Sequence, residues 1–403
     1  MSSKSIARLL LATALALATA GAASADDKVV KIGVLTDLSG LYADLGGQGS
    51  IEAARMAVDD SGMAAKGWKI DVISADHQNK PDVGSNIARQ WIDVDKVDVI
   101  VDVPNSGVAL AVSQVVREKG KAFLVSGAAA SDLTGKACSP NTIHWTYDTW
   151  ALANGTGKAV VQTGGDTWFF LTADYAFGQA LERDTEAVVL ANGGKVLGRV
   201  RHPLNTADFS SFLLQAQASK AKVIGLANAG GDTTNAIKQA AEFGIVKGGQ
   251  SLAGLLVFLT DVHSLGLQTA QGLMLTEAFY WDMNEKTRAW SVKFAERDRG
   301  IHPTMVHAGV YSAVTHYLKA VTALKSDDGT KVIAKMKEMP TDDPLFGKGT
   351  IRADGRKIHD MYLFEVKKPS ESTKPWDYYK QIAVVPGDKA FFTAAESGCP
   401  LTK

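Results

Sequence analysis

The chain has 403 residues, 46% of them apolar and 21% charged, and its 43 basic and 43 acidic side chains cancel to zero net charge. That length gives room for two or more domains with full cores. The neutral balance gives the chain no net positive charge to attract nucleic acid or an anionic membrane surface.

Residues 1–25 read as a separate object. Lys4 and Arg8 precede the apolar run Leu9–Ala20, and Ala23-Ser24-Ala25 follows as a small-residue cleavage site. The run is too short to span a bilayer, and Asp26, Asp27 and Lys28 follow at once. The pattern predicts a secretory signal cleaved after Ala25 and a mature chain exported to the periplasm. No Cys follows the run to carry a lipid, and no later segment is apolar enough to cross a bilayer.

The exported part alternates strands and helices. Val29–Thr36 is a predicted strand, Gly46–Asp60 a helix with Ile51, Ala54 and Val58 on one face, and Lys69–Ala75 a strand. Pro81 opens the next helix at its first turn. Val97–Val103, a helix capped by Ser106 with Val108, Ala111, Val112 and Val115 as its stripe, and Ala122–Val125 continue the alternation. This is a β-α-β-α-β order, so a parallel sheet with right-handed crossovers.

A second round begins at Asp148, with a helix to about Thr163, and strands follow at Trp168–Thr172, Lys195–Val200, Val223–Ala227 and Leu252–Phe258. Helices at Ala176–Ala191, Phe209–Ser219 and about Thr233–Phe243 separate them. The last third adds a strand at Leu273–Ala278 and helices at Thr287–Arg297, His307–Leu324 and Lys331–Lys337. Gly349–Arg352 and Met361–Val366 read as a hairpin about the turn Ala353-Asp354-Gly355. This last part lacks a core of its own, so it is expected to pack on the earlier lobes, with several crossings that make a hinge. The expected division is residues 26–147 with about 275–343 in lobe 1 and 148–274 with about 344–385 in lobe 2. Residues 386–403 form a tail tied back to lobe 1.

The two cysteines, Cys138 and Cys399, would pair in an oxidising compartment; the alternative is two free buried thiols. Between Asp102 and Thr134, two apolar runs end in small polar residues, Pro104-Asn105-Ser106-Gly107 and Ser126-Gly127-Ala128. Such ends are ordinary turn chemistry. Side by side at a helix N-terminus they also suit a small anion, most simply a carboxylate.

Three stretches carry a family resemblance: Lys31-Ile32-Gly33-Val34-Leu35-Thr36-Asp37-Leu38-Ser39-Gly40, Ser126-Gly127-Ala128-Ala129-Ala130, and Thr172-Ala173-Asp174-Tyr175-Ala176-Phe177-Gly178-Gln179. In this order and spacing, over residues 28–385, the chain resembles the Leu/Ile/Val-binding type of periplasmic solute-binding proteins. The resemblance implies a two-lobed α/β Venus-flytrap fold (type I periplasmic binding). It implies a monomer that captures an amino acid or related small carboxylate and hands it to an inner-membrane ABC permease with its ATPase. It places a carboxylate-binding serine at Ser106 and main-chain ligand groups at Ala128 and Ala130. The covering aromatic falls at Phe177, and the lobe 2 strand-end residue falls around Asn228. The first-loop aromatic falls near Leu45, with Tyr42 three residues before it, and Tyr147 joins the cleft aromatics.

Two departures bear on the ligand. Where the amino-acid binders carry an acid for the ligand ammonium, this chain has Leu255-Leu256, and a hydroxyl residue is replaced by Ala130. An unpaired buried ammonium is costly, so Asp148, Asp174 or Asp232 must supply the charge, or the ligand is an amine-free aromatic carboxylate of the benzoate or cinnamate type. A protein that delivers its ligand to a separate receptor is the alternative of another class.

Catalytic signatures are missing from the sequence: Gly46-Gly47-Gln48-Gly49 lacks dinucleotide-binding spacing, and neither Ser106 nor Ser126 sits in a nucleophile elbow. His302, His307 and His316 lack the companions of a metal site. The expectation is a binder without cofactor or metal rather than an enzyme.

Overall fold

The computed structural model describes residues 28–402; the expected signal and its cleavage after Ala25 lie outside the described residues. β1 (Val29–Thr36), β2 (Lys69–Asp76), β3 (Val99–Asp102), β4 (Ala122–Val125) and β5 (Thr142–His144) form a parallel sheet in the order β2-β1-β3-β4-β5. β3 and β4 are buried at every residue, since helices cover both faces, and therefore read as unbroken apolar runs. The helices Gly47–Asp60, Pro81–Asp93 and Ser106–Lys119 make the crossovers, with Pro81 in the first turn of its helix.

The second sheet repeats the plan. β6 (Thr167–Ala173), β7 (Lys195–His202), β8 (Val223–Ala227) and β9 (Ser251–Gly254) are parallel in the order β7-β6-β8-β9. β7 is an edge strand whose exposed positions include Lys195, Arg199 and Arg201, charges that discourage a further strand from adding there. In each sheet the strand order reverses beside the first strand, between β1 and β3 and between β6 and β8. Crevices for ligands open outside the C-terminal strand ends at such points.

The helix expected from Asp148 is present with a change of pitch. Thr149–Leu152 and Lys158–Gln162 are α-helical, with a π turn at Ala153–Gly157 between them. Asp148 caps it by accepting the Ala151 N–H at 2.8 Å. In the last third, β10 (Met274–Glu277) precedes the helices Glu285–Arg297, Met305–Leu324 and Gly329–Glu338. Met305–Leu324 is buried on nearly every side and packs along the helix Gly47–Asp60.

β11 (Thr341–Asp343), β12 (Gly347–Ile351) and β13 (Lys357–Ile358) form a small antiparallel sheet. The expected turn joins β12 to β13. Its Gly355 has φ 88°, and a side chain there would lie 2.4 Å from the Thr142 carbonyl oxygen of β5. The expected return strand is corrected: β14 (Met361–Val366) pairs with β10 on one edge and with β15 (Tyr379–Val385) on the other. The reason is burial, because Met361, Leu363, Phe364 and Val366 are all inside, as suits a central strand. β15 is not among the expected strands: its apolar run Ile382-Ala383-Val384-Val385 is largely exposed on the sheet's edge, with no buried alternation to mark it.

Cys138 and Cys399 form a disulfide across 261 residues of sequence. It anchors the tail, whose Phe392 stacks on Trp150 at 3.8 Å between ring centres.

Candidate functional site

Between the two parallel sheets lies a narrow space of about 10 Å³, room for about one water molecule. Its wall comes wholly from segments just past the C-terminal strand ends. Tyr42 and Leu45 follow β1, Pro104 follows β3, Gly127 and Ala129 follow β4, and Tyr147 follows β5. From the second sheet come Tyr175 and Phe177 after β6, Ala229 after β8, and Leu256 and Phe258 after β9. The wall holds no Lys, Arg, Asp or Glu.

The lobes meet around this space. The hydroxyls of Tyr42 and Tyr175 share a short hydrogen bond across the cleft. The Gly231 N–H donates to the Leu41 carbonyl at 3.3 Å, and Ser131 Oγ donates to Asp184 at 2.7 Å. The Tyr147 hydroxyl donates to the Gly127 carbonyl at 2.5 Å. Burial first, and neighbouring acids and phenols second, push the Tyr42 and Tyr147 hydroxyls well above the ordinary tyrosine range. Both therefore remain neutral donors.

The first loop is fixed from behind by the helix Met305–Leu324. Thr304 Oγ1 donates to the Leu45 carbonyl at 2.7 Å. His307 Nδ1 accepts the Thr304 N–H at 3.1 Å, so the ring proton is on Nε2 and donates to the Gly46 carbonyl at 2.9 Å. Burial lowers His307 to about 4, which keeps it neutral. His316 is bonded to the Met336 carbonyl, and His302 lies against Trp281 and Trp376. Among the described residues no group of His, Cys, Asp and Glu is arranged to hold a metal ion.

Of the residues expected at the site, Tyr42, Tyr147 and Phe177 stand in the wall. Ser106, Ala128, Ala130 and Asn228 lie just behind it. Ser106 is the first helical residue rather than the cap, which is Asn105: its Oδ1 accepts the N–H groups of Gly107 at 2.9 Å and Val108 at 3.1 Å. Ser106 Oγ instead accepts the N–H groups of Ala129 at 3.2 Å and Ala130 at 3.1 Å, leaving its own proton to donate. The Ala128 carbonyl bonds His144 at 2.7 Å, so Ala129 alone of the three alanines reaches the wall. Asn228 is held by His202 and Thr233, and its neighbour Ala229 faces the space.

The three acids weighed for a ligand amine are engaged elsewhere. Asp148 caps its helix and faces Arg356 at 3.6 Å. Asp174 is exposed beside Gln179 and Arg201. Asp232 accepts the N–H groups of Asn205 at 3.0 Å and Thr206 at 2.8 Å. Sequence reasoning does not single out Tyr175 or Phe258. Their signal is positional, since Tyr175 lies two residues past β6 and Phe258 four past β9, where open α/β sheets place ligand contacts.

The family model described as periplasmic binding protein matches residues 29–373. A solved periplasmic binding protein from Burkholderia mallei is 56% identical, with a TM-score of 0.91, covering 93% of this chain and 100% of that one. A periplasmic ligand-binding protein of a branched-chain amino acid ABC transporter from Burkholderia xenovorans LB400 is 41% identical, with a TM-score of 0.82 and the same coverage. Among curated proteins, Leu/Ile/Val-binding protein homolog 6 of Brucella melitensis biotype 1 is 25% identical over 374 residues, which are 90% of this chain and 93% of that protein.

Proposed function

The chain belongs to the periplasmic binding protein family, and from that premise we propose that it is the solute-binding component of an ABC importer, capturing an amino acid or related small carboxylate between its lobes. The observation that carries this reading is this narrow space, walled by strand-end segments of both parallel sheets and bridged by the Tyr42–Tyr175 bond. A ligand touching both walls stabilises the closed form over the open one, and only such differential contact shifts that equilibrium. The closed form then presents a surface made from both lobes to the membrane permease.

In this reading lobe 1 takes residues 28–147 of the described chain with about 275–343, lobe 2 takes 148–274 with about 344–385, and the Cys138–Cys399 disulfide holds the tail to lobe 1. The ligand carboxylate is received by the unspent proton of Ser106 Oγ, which the N–H groups of Ala129 and Ala130 hold in place. Ala128 serves through its backbone, keeping His144 in place behind the loop. Tyr42, Tyr147 and Phe177 contact the ligand directly, and Asn228 sets the loop that carries Ala229. Export to the periplasm follows from removal of residues 1–25.

The test is a thermal-shift screen of ligand-stripped protein against branched-chain and aromatic amino acids, their deaminated analogues, benzoate and short aliphatic carboxylates. A ligand at a hundred times its Kd stabilises the folded state by about 2.7 kcal/mol. Stabilisation by at least one such carboxylate is expected, and none across the panel would overturn the reading.

A further inference from the structure

We propose that Asp102 is a specificity-determining residue of this cleft, receiving a protonated amine of the ligand; the proposal rests on the cleft being the solute site. Asp102 ends β3 at the point where the strand order reverses. It is completely buried, and neither carboxylate oxygen has a hydrogen-bond partner. A carboxylate in that condition is among the most costly groups a protein can bury. The hydroxyls of Thr36 and Ser50 stand close enough to favour its ionised form, and Ser50 Oγ has no other partner.

The carboxyl lies directly behind the cavity wall, against two glycines whose missing side chains leave it uncovered. A side chain on Gly127, a wall residue, would lie 2.9 Å from Asp102 Oδ1. One on Gly46, next to the wall residue Leu45, would lie 3.2 Å from Oδ2. The backbone here is held in an unfavourable form: Asp102 has φ 78° and the β-branched Val103 has φ 57°. Left-handed conformations cost such residues of the order of 1 kcal/mol or more and gather at ligand sites.

The surrounding charges point to a cation. Tyr147, in the wall, feels the charges of Asp102, Glu277 and Asp261. Glu277 and Asp261 are also buried, and Glu277 Oε2 is unpartnered. None of the three carboxyls has an ion-pair partner among the described residues, and the wall contributes no Lys or Arg. Burial pushes the Asp102 carboxyl up to about 6, so it is largely ionised at neutral pH and becomes more so when a cation arrives. Asp102 therefore replaces the acid that Leu255-Leu256 lacks, from the opposite lobe.

Calorimetry on ligand-stripped wild type and Asp102→Asn tests this with two matched pairs, L-leucine with 4-methylpentanoate and L-phenylalanine with 3-phenylpropanoate. Wild type is expected to prefer the amine-bearing member, and Asp102→Asn to reduce that preference about ten- to hundredfold. Ligand-free Asp102→Asn should melt no lower than wild type at pH 7.5, because it removes an unpartnered charge; a lower melting point would mark a structural acid and overturn the proposal. A preference that survives the substitution, or a wild type that prefers the amine-free acid, also overturns it while leaving the proposed function standing. Binding of no probe in either pair, together with silence across the wider carboxylate panel, overturns the proposed function and this inference with it.

Discussion

At the scale of single residues, the site depends on which polar atoms are already spent. Ser106 accepts two N–H groups and still has a proton to give, so it is suited to meet a carboxylate. Ser106→Ala should weaken carboxylate binding by about 1.5–3 kcal/mol, the range for a hydrogen bond to a charged partner. Calorimetry checks this, and unchanged affinity would remove Ser106 from the site. The same accounting moves Asn228, Asp148 and Asp232 behind the wall, because each already satisfies a backbone or side-chain partner. Residue type alone could not show that. The sequence marks Ser106 as polar at a helix start, but whether its hydroxyl caps that helix or ties down the next loop depends on where Ala129 and Ala130 come to lie.

At the scale of elements, closure depends on two strand-end loops meeting backbone to backbone. Gly230, after β8, has φ 55°, and a side chain on it would stand 2.5 Å from the Leu41 carbonyl oxygen of the loop after β1. Gly230→Ala should therefore hold the lobes apart, lowering ligand affinity about tenfold or more at a cost of one or two kcal/mol to closure. Small-angle scattering should show the ligand-saturated variant more expanded than wild type; an equally compact variant with wild-type affinity would contradict this role. The predicted strands and helices correspond closely to the observed ones wherever a buried stripe or a cap marks them, as at Ala122–Val125 and Ala176–Ala191. They fail where partnership matters more than periodicity. β14, expected along β12, is central to another sheet, and β15 exposes its apolar run Ile382-Ala383-Val384 instead of burying an alternating stripe.

At the scale of the whole molecule, stability depends on neutral buried histidines and on a long covalent closure. Burial lowers seven of the eight histidines: His77, His144, His202, His302, His307, His316 and His359. Each binds its proton in the unfolded chain near pH 6.5 and in the folded chain only at lower pH, so the unfolded state takes up more protons on acidification. Stability should fall as pH drops from about 6.5 toward 4, where His77 and His307 titrate in the fold. The five raised carboxyls Asp102, Asp148, Asp232, Asp261 and Glu277 act in the opposite sense over part of that window but are fewer than the seven histidines. Denaturant titrations across pH check the sign, and flat stability from pH 7 to 4.5 would refute it.

The disulfide closes 261 residues, so Cys138→Ser with Cys399→Ser should cost about 3–5 kcal/mol of stability. Ligand affinity should be unchanged, since neither cysteine lines the cavity; a large loss of affinity would show that the tail sets the cleft.

By itself the sequence determined the alternation of strands and helices, hence two parallel-sheet lobes, because periodicity and caps are local properties of the chain. It also placed small residues at the strand ends where a ligand would dock. Only the tertiary structure decided that Ala129 rather than Ala128 or Ala130 faces the cavity, that Tyr175 meets Tyr42, and that Asp102 is buried without a partner. Those outcomes depend on how loops from distant parts of the chain orient one another's peptides and side chains, which no local pattern encodes.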